Sequence, residues 1–213
     1  MLDDGQSETR EKRREALARA ERQVNHLVRI VDDLLEMTRI THGKIDLRRE
    51  PIDLLSVLQY ALDLSQPLIM AKGHYLTVEL PAYPLPIVGD SVRLAQVFAN
   101  IINNAAKYTD AHGAIEISAR RGTDEAAVVS VRDNGVGVPR EMLGAIFEMF
   151  TQLRPATTRP ESGIGVGLAL SRAIVELHGG SIEAHSDGVG AGAEFIIHLP
   201  LATRLDATKG PEQ

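Results

Sequence analysis

The sequence contains no cysteine, which excludes disulfides and thiolate metal sites and is compatible with a reducing cytoplasm. No apolar run approaches the roughly 20 residues that cross a bilayer, and no secretory signal pattern is evident, so no membrane contact is expected of this segment. Basic residues are outnumbered. There are 23 Lys and Arg against 29 Asp and Glu, a net charge of −6, which argues against a broad nucleic-acid surface. No Gly-Lys-Ser/Thr is present, so a Walker phosphate loop is excluded. Neither Pro nor Gly occurs between Arg10 and Thr41. None of the seven histidines is followed by an acidic residue: their successors are Leu27, Gly43, Tyr75, Gly113, Gly179, Ser186 and Leu199.

What is present is ordinary in bulk. At 213 residues, with 44% hydrophobic and 24% charged content, the chain holds one globular domain plus a helical extension. In the Pro- and Gly-free stretch, Leu17, Ala20, Val24, Leu27, Val31, Leu34 and Thr38 step by three and four, a heptad seam on a long helix that wants a helical partner. Arg48 to Asp53 reads as a linker, with Asp53 placed to cap a helix over 54–71. Strands are expected at Tyr75 to Leu80, Ile87-Val88, around Ile115-Ile117-Ala119, around Ala127-Val129-Val131, at Ile182-Ala184 and at Phe195-Ile197-Leu199. Leu201 to Gln213 lacks a pattern and reads as a frayed tail or a linker. The expectation is an α/β fold: a two-layer sandwich, its mixed sheet covered on one face by helices, preceded by a long helix. The expected divisions are 1–47, 48–200 and 201–213.

Chemistry concentrates in three places. Leu94, Val97, Phe98, Ile101, Ile102 and Ala105 mark the core face of an amphipathic helix. Asn100, Asn104, Lys107 and Tyr108 fall on another face of it. An amide oxygen suits Mg²⁺, and a lysine one turn on can meet phosphate. Alone, such a stripe is equally that of a solvated helix. A strand then ends at Asp133, followed by Gly135 and Gly137, which allow close backbone approaches. A carboxylate there can accept a hydrogen bond from an exocyclic amine such as that of adenine. Gly163, Gly165 and Gly167 precede Leu168 and a helical pattern, and a helix opening on glycines suits phosphate. Each glycine turn alone is also consistent with a purely structural role.

In this order and spacing the three pieces resemble the catalytic ATP-binding domain of sensor histidine kinases of two-component systems, within the Bergerat (GHKL) ATPases. Asn100 to Thr109 resembles the N box, Asp133 to Pro139 the G1 box, Ile146 to Phe150 the F box, and Gly163 to Leu168 the G2 box. The resemblance implies ATP with Mg²⁺ as cofactor, bound between the N-box helix and a lid. Asp133 would hold the adenine amine and Asn104 the metal, with Asn100 and Lys107 near the phosphates. Tyr108, Gly135, Gly137, Phe147, Phe150, Gly163, Gly165, Gly167 and Leu168 would complete the site. The patternless stretch between Phe150 and Gly163 is expected to be the lid, from which Arg154 and Arg159 could reach the terminal phosphate.

Two departures from the family matter. Its phosphoacceptor hairpin carries, on the first helix, a histidine followed by an acid. The stretch from Arg22 to Ile45 resembles the second helix instead, and His26 sits in that second-helix context. Either the chain is a piece of a longer protein, or it is a degenerate kinase. Relatives also often carry threonine or serine at the position of Ala193. Against the hydrolytic Bergerat ATPases, the position of their water-activating glutamate is Asn100, an amide that cannot act as a base. The expectation is therefore phosphoryl transfer from Mg-ATP to a histidine on a helix this chain does not carry, in the cytoplasm. Implied partners are a phosphoacceptor hairpin helix, a response regulator receiver domain and, if the hairpin is complete, a second copy through the long helix. The alternatives are a nucleotide-responsive interaction module without catalysis and a protein serine kinase of the same fold.

Overall fold

The computed structural model describes residues 46–123, 125–152 and 165–202, residues 34–40, and scattered positions between 13 and 32. The chain divides into two compact units, Met1–Lys44 and Ile45–Gln213. In the first, the described positions from 13 to 40 are helical, and Thr38 Oγ1 donates back to Leu34 O at 2.8 Å. Leu17, Val24, Leu27 and Val31, four of the heptad residues, are exposed.

The second unit runs β1 (Glu50–Asp53), α1 (Leu54–Ala71), β2 (Tyr75–Glu79), β3 (Pro86–Gly89), α2 (Ser91–Tyr108), β4 (Ala114–Arg121), β5 (Ala126–Asp133), two 3₁₀ turns (Arg140–Met142 and Ala145–Phe147), α3 (Gly167–Leu177), β6 (Ser181–His185) and β7 (Ala193–Pro200). The main sheet has the order β2-β4-β5-β7-β6. Its β2–β4 pair is parallel and its other pairs are antiparallel. Period-two alternation sets its inner face. Ile115, Ile117 and Ala119 lie opposite Asp133, Val131 and Val129, which lie opposite Ala193, Phe195 and Ile197.

The helices cover that face. Leu94, Val97, Phe98, Ile101, Ile102 and Ala105 of α2 are all buried, the six residues whose spacing marks its core side. Each large side chain so buried contributes about 1.5–3 kcal/mol. Asp53 caps α1, accepting from Leu55 N at 3.2 Å, and also accepts from Leu85 N at 3.0 Å. By length and composition α1 is apolar enough to cross a membrane, but Leu54, Val57, Leu58, Ala61, Leu62 and Ile69 are buried within the domain.

Two expectations are corrected. The segment read as a linker contains a strand: Glu50–Asp53 pairs antiparallel with Pro86–Gly89, Pro51 opposite Val88. Proline keeps Glu50 extended and lacks only a donor, which a short two-stranded ladder tolerates. The supposed tail begins as packed chain, with Leu201 buried, Leu201 N donating to Glu125 O at 2.9 Å and Ala202 N to Pro86 O at 2.8 Å. Residues 203–213 lie outside the described residues.

Candidate functional site

The site grows from the two ends of α2. Asp90 caps its start, accepting from Arg93 N at 3.2 Å. At its end Lys72 Nζ donates to Lys107 O at 2.7 Å and to Thr109 O at 3.2 Å, placing a cation at the negative end of the helix dipole. Asn100, Asn104, Lys107 and Tyr108 line a half-buried face between the core side and solvent. The Lys107 ammonium stands 5.2 Å from the Tyr108 ring centroid, within cation–π range. Burial raises the Tyr108 phenol above its ordinary pKa.

Asn100 connects this face to α3. Its Nδ2 donates to Ser171 Oγ at 2.9 Å. A Cβ at Gly167 would stand 2.7 Å from Asn100 Oδ1, so glycine is what lets the start of α3 close onto the amide. The N-cap of α3 is Val166, which makes no side-chain cap bond. Among the described residues no side chain caps this first turn, and N–H groups at a helix start suit an anion.

The G1-like turn closes on the other end of α2. Asp133 is buried at the end of β5, its Oδ1 accepting from Gly135 N at 2.8 Å. Burial is the largest influence on this carboxyl and raises its pKa; the N–H groups of Gly135 and Ala193 and the Thr109 hydroxyl pull it back down. Val136 N donates to Tyr108 O at 3.1 Å. A Cβ at Gly135 would come within 2.5 Å of that same carbonyl, so only glycine fits where the turn meets the helix. Gly137 adopts φ +68° and passes directly against Gly188 O. The loop between β6 and β7 staples this turn in place: Ser186 Oγ accepts from Val138 N at 3.0 Å and donates to Gly192 O at 2.6 Å, and Gly190 N donates to Val136 O at 2.7 Å.

The structure thus brings Tyr108, Asp133, Gly135 and Gly137 together at one end of α2, and Asn100, Gly167 and Leu168 where α2 meets α3. Asn104 and Lys107 lie between them on α2. The F-box residues stand apart. Phe147 is buried, edge-on to Phe195 at 6.3 Å with the Arg172 guanidinium 5.2 Å from its centroid. Phe150 is 62% exposed at φ +65°, its N–H donating to Gly165 O at 3.0 Å. Gly165, at φ +78°, turns tightly over Thr151 O. Arg154, Arg159, Gly163 and His26 lie outside the described residues. Sequence reasoning gave no role to Thr109 or Ser171. Ser171 follows Gly167 by one helical turn, a spacing that could have pointed to it.

The chain has relatives among known proteins. Residues 89–203 match the family model described as histidine kinase-, DNA gyrase B-, and HSP90-like ATPase. The chain is 31% identical to the circadian input-output histidine kinase CikA of Synechococcus elongatus, over 92% of this chain and 26% of CikA. It is 31% identical to the signal transduction histidine-protein kinase BaeS of Escherichia coli, over 90% of this chain and 40% of BaeS. It therefore spans less than half the length of either relative. Among solved structures it is similar to full-length ShkA in complex with AMPPNP, with a TM-score of 0.76 and 28% identity over 90% of this chain and 39% of that one. It is also similar to the mycobacterial sensor histidine kinase MprB, with a TM-score of 0.61 and 25% identity over 72% of this chain and 97% of that one.

Proposed function

The chain belongs to the histidine kinase-, DNA gyrase B-, and HSP90-like ATPase family, its relatives are sensor histidine kinases, and on that premise we propose that it binds Mg-ATP for phosphoryl transfer to a histidine on a separate helix. The observation that carries the reading is Asp133: a buried carboxylate held by a glycine turn, at the end of a helix whose amide face meets the glycine-opened start of α3. Asp133 accepts from the base amine, and Gly135 and Gly137 let the base approach the backbone. The first turn of α3, with Gly165, Gly167 and Leu168, takes the phosphates together with Lys107. Arg154 and Arg159 join them from the lid, and Tyr108 and Phe150 border the nucleotide. Phe147 supports the site through its packing against Phe195 and Arg172.

The residues fit a magnesium ion of the kind that accompanies nucleotides. Among the described residues no three His, Cys, Asp or Glu side chains gather as a metal cage. The Asn104 amide oxygen would hold the ion, with phosphates and waters completing its shell, as Mg²⁺ prefers. Bound there, the ion neutralises phosphate charge. Asn100 is an amide with its nitrogen bound to Ser171, so it orients groups and does not activate water. That favours transfer over hydrolysis.

On this reading residues 1–47 act as the second helix of a dimerisation and phosphoacceptor hairpin and 48–200 as the catalytic domain, with Leu201 and Ala202 still packed on it. The partners are a phosphoacceptor helix, a response regulator receiver domain and, if the hairpin is complete, a second copy through the long helix, all in the cytoplasm. Calorimetric titration with ATP tests the site. The expected result is saturable binding strengthened by Mg²⁺, with that strengthening lost in Asn104→Ala. A folded chain that binds neither ATP nor ADP would overturn the reading.

A further inference from the structure

Thr109 is almost wholly buried, 1% exposed, at the end of α2. Its Oγ1 makes no hydrogen bond within ordinary distance and angle limits, yet it stands close enough to Asp133 for the hydroxyl to lower that carboxyl's pKa. A buried hydroxyl left in that state is unfavourable, and its proton rotates freely to suit a neighbour. The neighbour is Asp133. A Cβ at Gly135 would stand 2.8 Å from Thr109 Oγ1 and 2.9 Å from Asp133 Oδ1, so hydroxyl and carboxylate flank one small space. Gly135 N–H already holds Oδ1.

We propose that Thr109 is a positioning residue for base recognition: its hydroxyl donates to the Asp133 carboxylate and keeps that acceptor turned toward the exocyclic amine of the bound nucleotide. The inference rests on the reading of Asp133 as the base-binding group. The surroundings leave this task to Thr109. β4 presents Ile115 opposite Asp133, and β7 presents Ala193, which has no hydroxyl to offer. Arg132 and Glu194, adjacent in their strands, belong to the opposite sheet face. Around Thr109, Lys72 Nζ donates to its carbonyl at 3.2 Å, Lys107 and Asp110 lie within two residues of it, and burial raises the pKa of the adjoining Tyr108 phenol and keeps it neutral. A lost hydroxyl donor therefore favours the protonated Asp133, which presents an O–H toward the amine in place of a lone pair.

Thr109→Val, Thr109→Ser and Asp133→Asn are compared with the unaltered chain by calorimetric titration with ADP from about pH 4 to 8, starting at the ordinary carboxylate range and extending upward from it. Binding falls as pH drops through the Asp133 pKa. Thr109→Val is expected to bind roughly three- to tenfold more weakly near neutral pH, with its acid midpoint moved to higher pH. Thr109→Ser is expected to restore both. An unmoved midpoint in Thr109→Val overturns the proposal, whatever the affinity. Should the valine variant not fold, as judged by circular dichroism, Thr109→Ala is read by the same criterion. If Asp133→Asn binds ADP as the unaltered chain does, the base-binding reading itself fails. If Asp133→Asn binds weakly while Thr109→Val keeps its midpoint, only the role of Thr109 fails.

Discussion

Asp133 carries a charge where the fold does not favour one. Its pKa is raised, burial being the largest cause. A carboxyl whose folded pKa lies above its unfolded value stabilises the fold fully only below the unfolded value. That contribution is lost as pH rises through the folded value. At neutral pH the empty protein is therefore held below its attainable stability by this side chain, the mark of a group kept for binding. Asp133→Asn keeps an oxygen for Gly135 N–H and removes the buried charge. The melting temperature of the nucleotide-free chain is expected to rise by about 2–4 °C. ADP affinity is expected to fall by roughly tenfold to a hundredfold, because an amide can donate against the amine. Thermal melting and calorimetry on one preparation check both. A variant less stable than the parent at neutral pH would contradict the account of burial.

Between elements, single close contacts set the site. Gly167 lets α3 reach Asn100, and in Gly167→Ala the new methyl displaces the amide from Ser171. The fold is expected to persist, since a side-chain tip can shift, while ATP affinity drops by roughly tenfold. Unchanged affinity would detach the α2–α3 contact from nucleotide binding. The far ends of the same helices are joined by His178, whose Nε2 accepts from Asp90 N at 2.9 Å and whose Nδ1 donates to Ile174 O at 2.7 Å. Burial is the first cause lowering its pKa below 6.5, and Arg49 adds to it against Asp90 and the Ile174 bond. A histidine with a depressed folded pKa gives stability that is whole above the unfolded value and lost as pH falls through the folded one. Urea unfolding from about pH 8 down to 5 should show the unaltered chain losing more stability below its unfolded pKa than His178→Gln. Parallel curves would remove His178 from that role. How legible these elements were follows from their physics. The core face of α2 repeats at helical spacing and could be read directly, as could the Asp133 and Gly167 turns. β1 was hidden because Pro51 resembles punctuation and its partner, Val88, lies far along the chain. Thr109 and Ser171 were hidden because a hydroxyl has no periodicity, and only packing reveals what it faces.

The whole molecule joins a nucleotide-binding domain to a helix with an exposed apolar seam, and the two imply different competences. The domain belongs to an ATPase family. Transfer further requires an attacking nitrogen near the terminal phosphate and in line with it. The family resemblance implies an acceptor histidine followed directly by an acid, and none of the seven histidines here is followed by one. His178 is further committed by both ring nitrogens to Asp90 and Ile174, and His74 Nε2 bonds Ala106 O at 2.9 Å. His185 and His198 flank Glu183 at 3.3 and 3.5 Å on the outer sheet face, away from the helices that cover the nucleotide site. The isolated chain is therefore expected to bind ATP without accumulating acid-labile, base-stable phosphate. A matched hairpin fragment bearing a histidine-acid pair should become labelled when mixed with it. Incubation with radiolabelled ATP and Mg²⁺, with and without the fragment, scores both statements. Substantial labelling of the chain alone, abolished by His26→Gln, would make the long helix itself the acceptor and reverse the assignment of its role. Labelling in neither mixture, from a chain that still binds ATP, would favour the nucleotide-responsive module over the kinase.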